Sequence, residues 1–148
     1  MWNKQKLSNH VRPLPDIGND RCCAIELNLD GAKYYVFSIY MPHQTCKISD
    51  FNHYLECLKS NIEECNNGAQ IICVGDMNVH LSKFYGDRCW GVTNRNGNKF
   101  MKMLDICNLT MVDIGEHGSG PMYTFCGNGM SYVDHVLVST DLLIPQEH

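Results

Sequence analysis

No Cys-x-x-Cys pair occurs in this chain, although it carries nine cysteines. The cysteines and histidines are scattered, which gives neither a structural zinc spacing nor a disulfide framework. Cys23, Cys57, Cys73 and Cys107 fall within segments that read as strand or helix, where a buried thiol behaves as a small hydrophobe. The expectation is a reducing, intracellular setting, nucleus or cytoplasm, and not secretion. No apolar run is long enough to span a bilayer, so no membrane association is expected. Residues 1–15 hold Lys4, Lys6 and Arg12 but lack the apolar core of a signal peptide. Repeats, low-complexity tracts and linkers are absent. The 148 residues suffice for one domain, 1–148, and not comfortably for two. Nothing in the sequence points to a protein partner.

Excess positive charge is missing too. The net charge is −4, which argues against wrapping nucleic acid non-specifically. The distribution is uneven, however. Lys83, Arg88, Arg95, Lys99 and Lys102 stand against Asp87 alone, so this window carries +4 and the remainder about −8. It reads either as a solvated loop and helix face or as a local phosphate-contacting patch.

What is present is a mixture of strand and helix periods. Residues 1–20 read as irregular, broken by Pro13, Pro15 and Gly18. Cys23, Ile25, Leu27 and Leu29 alternate with Ala24, Glu26 and Asn28, predicting a strand with the first set buried. Asp30-Gly31 predicts a hairpin turn, and Lys33 to Tyr40 the return strand, ended by Pro42. Phe51, Tyr54, Leu55, Leu58 and Ile62 give one apolar helical face, stopped by Asn66-Asn67-Gly68. A buried strand over 70–75 follows, then a polar loop over 81–96 that contains Trp90. Phe100, Met103, Leu104 and Cys107 repeat the helical spacing. Leu109 to Ile114, Tyr123 to Phe125 and Ser131 to Val138 read as strands. In the last, Val133, His135 and Leu137 share one face, and Asp134 and Val136 the other.

Three polar constellations sit at strand ends. Gly75-Asp76-Met77-Asn78 follows Ile71 to Val74 and, if extended, delivers a carboxylate and a carboxamide side by side. Tyr40 ends a strand before Pro42. Asp134 lies in an apolar strand, where a carboxylate is costly unless paired. Trp90 is read as a cap on the core in preference to a base-stacking ring. His80 reads as a hydrogen-bonded loop residue, and His135, opposite Asp134, as structural.

Ser38-Ile39-Tyr40-Met41-Pro42, Gly75-Asp76-Met77-Asn78, Thr124-Phe125 and Ser131-Tyr132-Val133-Asp134-His135-Val136-Leu137 occur in an order that resembles the endonuclease/exonuclease/phosphatase superfamily. That superfamily has the deoxyribonuclease I fold. Thr93-Asn94-Arg95-Asn96-Gly97 is similar to the Asn-x-x-Gly of LINE-type non-LTR retrotransposon nickases. The resemblance covers roughly 20 to 140. It implies an α/β (α+β) protein, a four-layer α/β/β/α sandwich, here truncated at both ends. It also implies a metal-dependent phosphodiesterase, most nearly a DNA endonuclease that nicks, with Mg²⁺ as cofactor and DNA as partner.

On this reading Asp76 orients or deprotonates the attacking water, and Asn78 and Tyr40 donate hydrogen bonds to the phosphate. Asp134 would hold a histidine in a fixed tautomer. His80, Arg95 and Lys99 are the candidate substrate contacts. The chain departs from the family pattern at both ends. No residue matches the metal-binding glutamate, since Glu26 is expected to point out of the hairpin. The metal ligand is therefore unassigned. Asn3, Asn9 and Asn19 follow no apolar strand, and His148 lacks a preceding Asp. A catalytically inactive transposon-derived remnant or binding module, and a phosphatase acting on phosphoinositides or other phosphate esters, stay open as alternatives.

Overall fold

The computed structural model describes residues 8–115, 118–127 and 129–143. The strands are β1 (Val11–Asn19), β2 (Cys22–Leu29), β3 (Ala32–Tyr40), β4 (Gln70–Asp76), β5 (Leu109–Met111), β6 (Phe125–Cys126), β7 (Met130–Ser131) and β8 (Asp134–Ser139). The helices are α1 (Ile48–Cys65) and α2 (Arg95–Cys107), and a 3-10 turn covers Thr140–Leu143. Six strands form one sheet in the order β1-β2-β3-β4-β8-β5, and β6 and β7 form a separate ribbon. Among the described residues, only the β3–β4 contact is parallel. A parallel pair needs a long crossover, which α1 supplies.

Asp30 (φ 50°) and Gly31 (φ 82°) both take positive φ, as a two-residue hairpin turn requires. Helix α1 buries Phe51, Leu55, Leu58, Ile62 and Cys65, and α2 buries Phe100, Met103, Leu104 and Cys107. Both pack in one core with Ala24, Phe37, Ile39, Ile71, Cys73 and Leu137 of the sheet. The α/β class expected from sequence is the one observed. Of four expected layers, the described residues form two, one of helix and one of sheet. The other sheet face carries Ile25, Leu27, Val36, Ile72, Val74 and Val136, all half-buried, and neither of the described helices lies over them.

Two expectations are corrected. Residues 1–20 are not irregular throughout, because Val11–Asn19 pairs with β2. It is an edge strand with a register shift between Pro13 and Gly18, so its prolines withhold no ladder hydrogen bond from a second neighbour. The buried face of β2 is Cys22, Ala24 and Glu26, not Cys23, Ile25, Leu27 and Leu29. Alternation separates two faces but does not say which one receives the helices.

Glu26 consequently points into the protein. Its carboxylate accepts from Arg12 (2.9 Å), Asn28 (3.0 Å) and the Tyr35 hydroxyl (3.2 Å), with Lys33 at 3.5 Å. The Asn28 hydrogen bond, with the Arg12 and Lys33 charges, outweighs desolvation and holds its pKa down to about 2. All nine cysteines are free, and Cys22, Cys65, Cys73, Cys89 and Cys107 are buried. Among the described residues, no helix is long and apolar enough to cross a membrane.

Candidate active site

Strands β3, β4 and β8 bring three of the anticipated residues into one row. Tyr40 pairs in register with Asp76, and Asp76 with Asp134. Alternation turns all three away from the helices, since their chain neighbours Ile39 and His135 are buried on the helix side. Tyr40 is 54% exposed, Asp134 is exposed and Asp76 is half-buried. The close approach of β3 to β4 depends on Gly75. A Cβ there would lie 2.0 Å from the Ile39 carbonyl oxygen, and its φ is 137°. The ladder runs on past the strands, with the Met41 N–H donating to the Asp76 carbonyl and the Met77 N–H to the Val133 carbonyl, both at 2.8 Å.

Two carboxylates directly opposite each other weaken a sheet. Burial, and then the neighbouring Asp134 charge, push the Asp76 carboxyl above its ordinary range. The Asn78 backbone N–H and His43 work against that rise. Asp134 is held through its main chain. The Thr124 hydroxyl accepts from the N–H of Val133 (3.1 Å) and of Asp134 (3.2 Å), which gives the Thr-Phe motif a mechanical role.

Asn78 does not stand beside Asp76 by strand alternation. It lies past the end of β4 with φ 49°, and its N–H donates to Asp76 Oδ1 at 2.9 Å. This is a local turn of the kind Asp readily closes two residues on. The Asn78 side chain is buried and donates to the Met41 carbonyl at 2.9 Å. It therefore ties the end of β3, next to Tyr40, to the end of β4.

His80 is held by its backbone. Asn94 donates its N–H to the His80 carbonyl (3.1 Å), and the Asn94 side chain accepts from the N–H groups of His80 (3.5 Å) and Gly97 (2.7 Å). A Cβ on Gly97 would lie 2.6 Å from the His80 carbonyl oxygen. The Asn-x-x-Gly sequence thus both caps α2 and docks it on the site loop. Burial, then the neighbouring His43, lower the His80 pKa. His80 lines a groove of about 320 Å³ with Gln44, Trp90, Asn94, Met130 and Tyr132. Trp90 is 43% exposed and donates from Nε1 to the Met122 carbonyl at 3.3 Å, so it is a groove wall and not a core cap.

The basic window divides. Arg95 is exposed and lines a second pocket of about 430 Å³ with Gln44 and Asn94, whereas Lys99, half-buried one turn along α2, lines neither pocket. Arg88 is buried. It donates to the Pro121 carbonyl and lies 4.9 Å over the Tyr132 ring, so it belongs to the framework and not to a solvated patch. His135 is structural as expected, 2% exposed and 2.9 Å from Asp113 Oδ2. Burial would raise the Asp113 pKa, but the hydrogen bonds from His135 and the Val136 N–H more than offset it and leave it lowered. Sequence reasoning missed His43, an electrostatic neighbour of both Asp76 and His80. Its only signal was its place directly after Pro42.

Residues 34–148 match the family described as endonuclease-reverse transcriptase. The chain belongs to this family. The match places it in the endonuclease/exonuclease/phosphatase superfamily with the deoxyribonuclease I-like fold. No curated protein matches it. The endonuclease domain of TRAS1, a telomere-specific non-LTR retrotransposon, shares the fold with a TM-score of 0.73 at 20% identity, covering 95% of this chain and 58% of that one. AP endonuclease LMAP from Leishmania major gives 0.65 at 16%, covering 92% and 54%. The 3′ phosphatase NExo from Neisseria, bound to a product DNA hairpin, gives 0.57 at 18%, covering 88% and 58%. The chain thus spans little more than half the length of these three structures.

The superfamily is generally dependent on a divalent metal. The facing carboxylates of Asp76 and Asp134 are hard oxygen donors, and Mg²⁺ is commonly held by one or two carboxylates plus water and substrate phosphate. The pair therefore fits such an ion. No cluster of three or more His, Cys, Asp or Glu that could hold a metal occurs among the described residues. Glu26 is spent on its cations at another part of the sheet. No described histidine bonds Asp134, and His148 lies outside the described residues.

Proposed function

We propose that this chain carries the phosphodiester-cleaving edge of a DNA endonuclease that nicks one strand. The observation that carries the reading is the register row Tyr40–Asp76–Asp134, locked from behind by Asn78. Like charges face each other there at a cost to stability, which marks a site shaped for chemistry.

In this reading Asp76 orients the attacking water and accepts its proton. Tyr40 donates its phenol to a non-bridging phosphate oxygen. The second N–H of the Asn78 amide, beyond the one given to Met41, does the same without adding charge. A divalent cation at the Asp76–Asp134 pair would supply neutralisation of the phosphate charge. His80 and Arg95 meet the flanking strand, and Lys99 adds positive field along α2. That the fold-sharing TRAS1 domain is an endonuclease, and that NExo is bound to DNA, support a nucleic acid substrate.

The test is nicking of supercoiled plasmid by the purified chain in Mg²⁺, beside Asp76→Ala and an EDTA control. Metal-dependent nicking lost in the variant is expected. Nicking that survives Asp76→Ala would overturn the assignment. One observation favours a second reading, a DNA-binding module without turnover: no described histidine partners Asp134. A folded chain that binds DNA and never nicks it would establish that reading. Hydrolysis of a small phosphate ester, undisturbed by competing DNA, would point instead to a phosphatase.

A further inference from the structure

Arg21 sits in the turn between β1 and β2, outside every motif that the sequence displays. Its main chain is fixed twice. The Arg21 N–H donates to Asn19 Oδ1 at 2.8 Å, and its carbonyl accepts from the Tyr40 N–H at 2.8 Å. The guanidinium carbon lies 5.2 Å from the centroid of the Tyr40 ring and 5.2 Å from that of Tyr54. Nη1 reaches the Tyr40 carbonyl at 3.5 Å. Tyr54, on α1, donates its hydroxyl to both carboxylate oxygens of Asp20, at 2.9 and 3.1 Å. The turn is thereby bolted to α1, and the planar cation is clasped by two aromatic rings, one of them in the reactive row. The Arg21 Nε is buried and has no hydrogen-bond partner. Stacking, and not a hydrogen-bonded fork, therefore accounts for where the group sits.

Tyr40 needs such support. Its ring is 54% exposed, and no described residue bonds its hydroxyl. A half-exposed ring at the end of a strand has rotamer freedom that a phosphate contact would have to remove. We propose that Arg21 is the positioning residue for Tyr40, its guanidinium, itself seated against the Tyr54 ring, holding the Tyr40 ring so that the phenol meets a phosphate bound at the Asp76 row. This rests on the phosphodiester reading of that row. It goes further by assigning a determinant in a turn that the motifs do not reach.

The experiment pairs two measurements on the full chain. Ring signals of Tyr40 are followed by NMR with ¹³C-labelled tyrosine, assigned through Tyr40→Phe. Affinity for a short DNA duplex is measured in EDTA, so that no cleavage intervenes. Arg21→Met is expected to shift and sharpen the Tyr40 ring signals toward those of a freely turning tyrosine. It should also weaken binding about 2- to 5-fold, the factor that one solvent-touched cation–π contact supports. In a Tyr40→Phe background the same change should cost little more, because the hydroxyl it presents is already gone. Arg21→Lys should recover part of the affinity, since an ammonium keeps the charge and loses the flat stack. It carries the same test should Arg21→Met not fold.

Unaltered Tyr40 ring signals in a folded Arg21 variant would overturn the proposal. So would fully additive losses in the double variant, which would make Arg21 a direct phosphate contact. A wild-type chain that binds no DNA would instead count against the phosphodiester reading, and the ring signals alone would still decide the positioning role.

Discussion

Asp76 and Asp134 are direct register partners across β4 and β8, two carboxylates on one face with no cation between them among the described residues. Each neutral substitution should therefore relieve the fold while disabling the site. Asp134→Asn is expected to stabilise the chain by about 0.5 kcal/mol, within the range of opposed cross-strand charges, as read by urea unfolding. The pH dependence has a definite sign. The folded Asp76 carboxyl titrates above its ordinary 3.8, so the native state binds the extra proton. Its contribution to stability falls as pH rises from 3.8 toward the raised value, and Asp76→Asn should flatten that fall.

Glu26 behaves in the opposite way. Its pKa is lowered from 4.5 to about 2, so it contributes stability that is fully present above pH 4.5 and lost as pH falls toward 2. Glu26→Gln should remove this acid transition and cost about 1–3 kcal/mol, since the part-buried hydrogen bonds from Arg12 and Tyr35 weaken together. Equilibrium unfolding at several pH values checks both statements.

Gly75→Ala should be among the most damaging single-atom changes in the chain. The added carbon would lie 2.0 Å from the Ile39 carbonyl oxygen, on a backbone at φ 137°. A loss of at least about 2 kcal/mol is expected, with the β3–β4 register disturbed. Gly97→Ala, at 2.6 Å from the His80 carbonyl, should be milder in stability and should be felt at the His80 groove. Chemical denaturation and the amide shifts of His80 distinguish the two.

Tyr40→Phe tests the row chemically and leaves the fold alone. The hydroxyl has no described partner, so stability should stay within about 0.5 kcal/mol of wild type. If the phosphodiester reading holds, nicking should fall about 10²-fold or more, the usual cost of one preorganised donor.

The sheet face opposite the helices should bind hydrophobic dyes. Ile25, Val36, Ile72 and Val74 are half-buried there, and no described helix lies over them, a patch of the kind that drives association. Ile72→Thr with Val36→Thr is expected to lower dye fluorescence and aggregation. Light scattering at raised concentration checks it, and no change would mean that the face is sheltered in solution.

Much of this architecture could be read from periodicity. The β2–β3 hairpin, both helices and the strand ending at Asp76 lie where alternation and the i, i+3, i+4 spacing put them, because each has one face that must be buried. Strand β1 was hidden, since Pro13 and Pro15 signal disruption locally but are tolerated at a sheet edge. The inward turn of Glu26 was hidden because its partners Arg12 and Tyr35 come from two other strands. At the site, Tyr40, Asp76 and Asp134 were legible as polar residues at strand ends, but their alignment in one row depends on β8 inserting between β4 and β5. The left-handed turn of Asn78 and the stack of Arg21 on Tyr40 belong to tertiary contacts that no local pattern announces.

The five buried thiols amount to a clock. Burial pushes Cys22 and Cys89 up to about 11, and raises Cys65, Cys73 and Cys107 as well. At neutral pH roughly one in ten thousand of such a group with a pKa near 11 is thiolate, and the side chain is screened from reagents as well. Cys23, Cys46 and Cys126 are exposed and would alkylate at once. The interval between the two waves of labelling times how often helix and sheet part, with each core cysteine reporting on the layer it occupies.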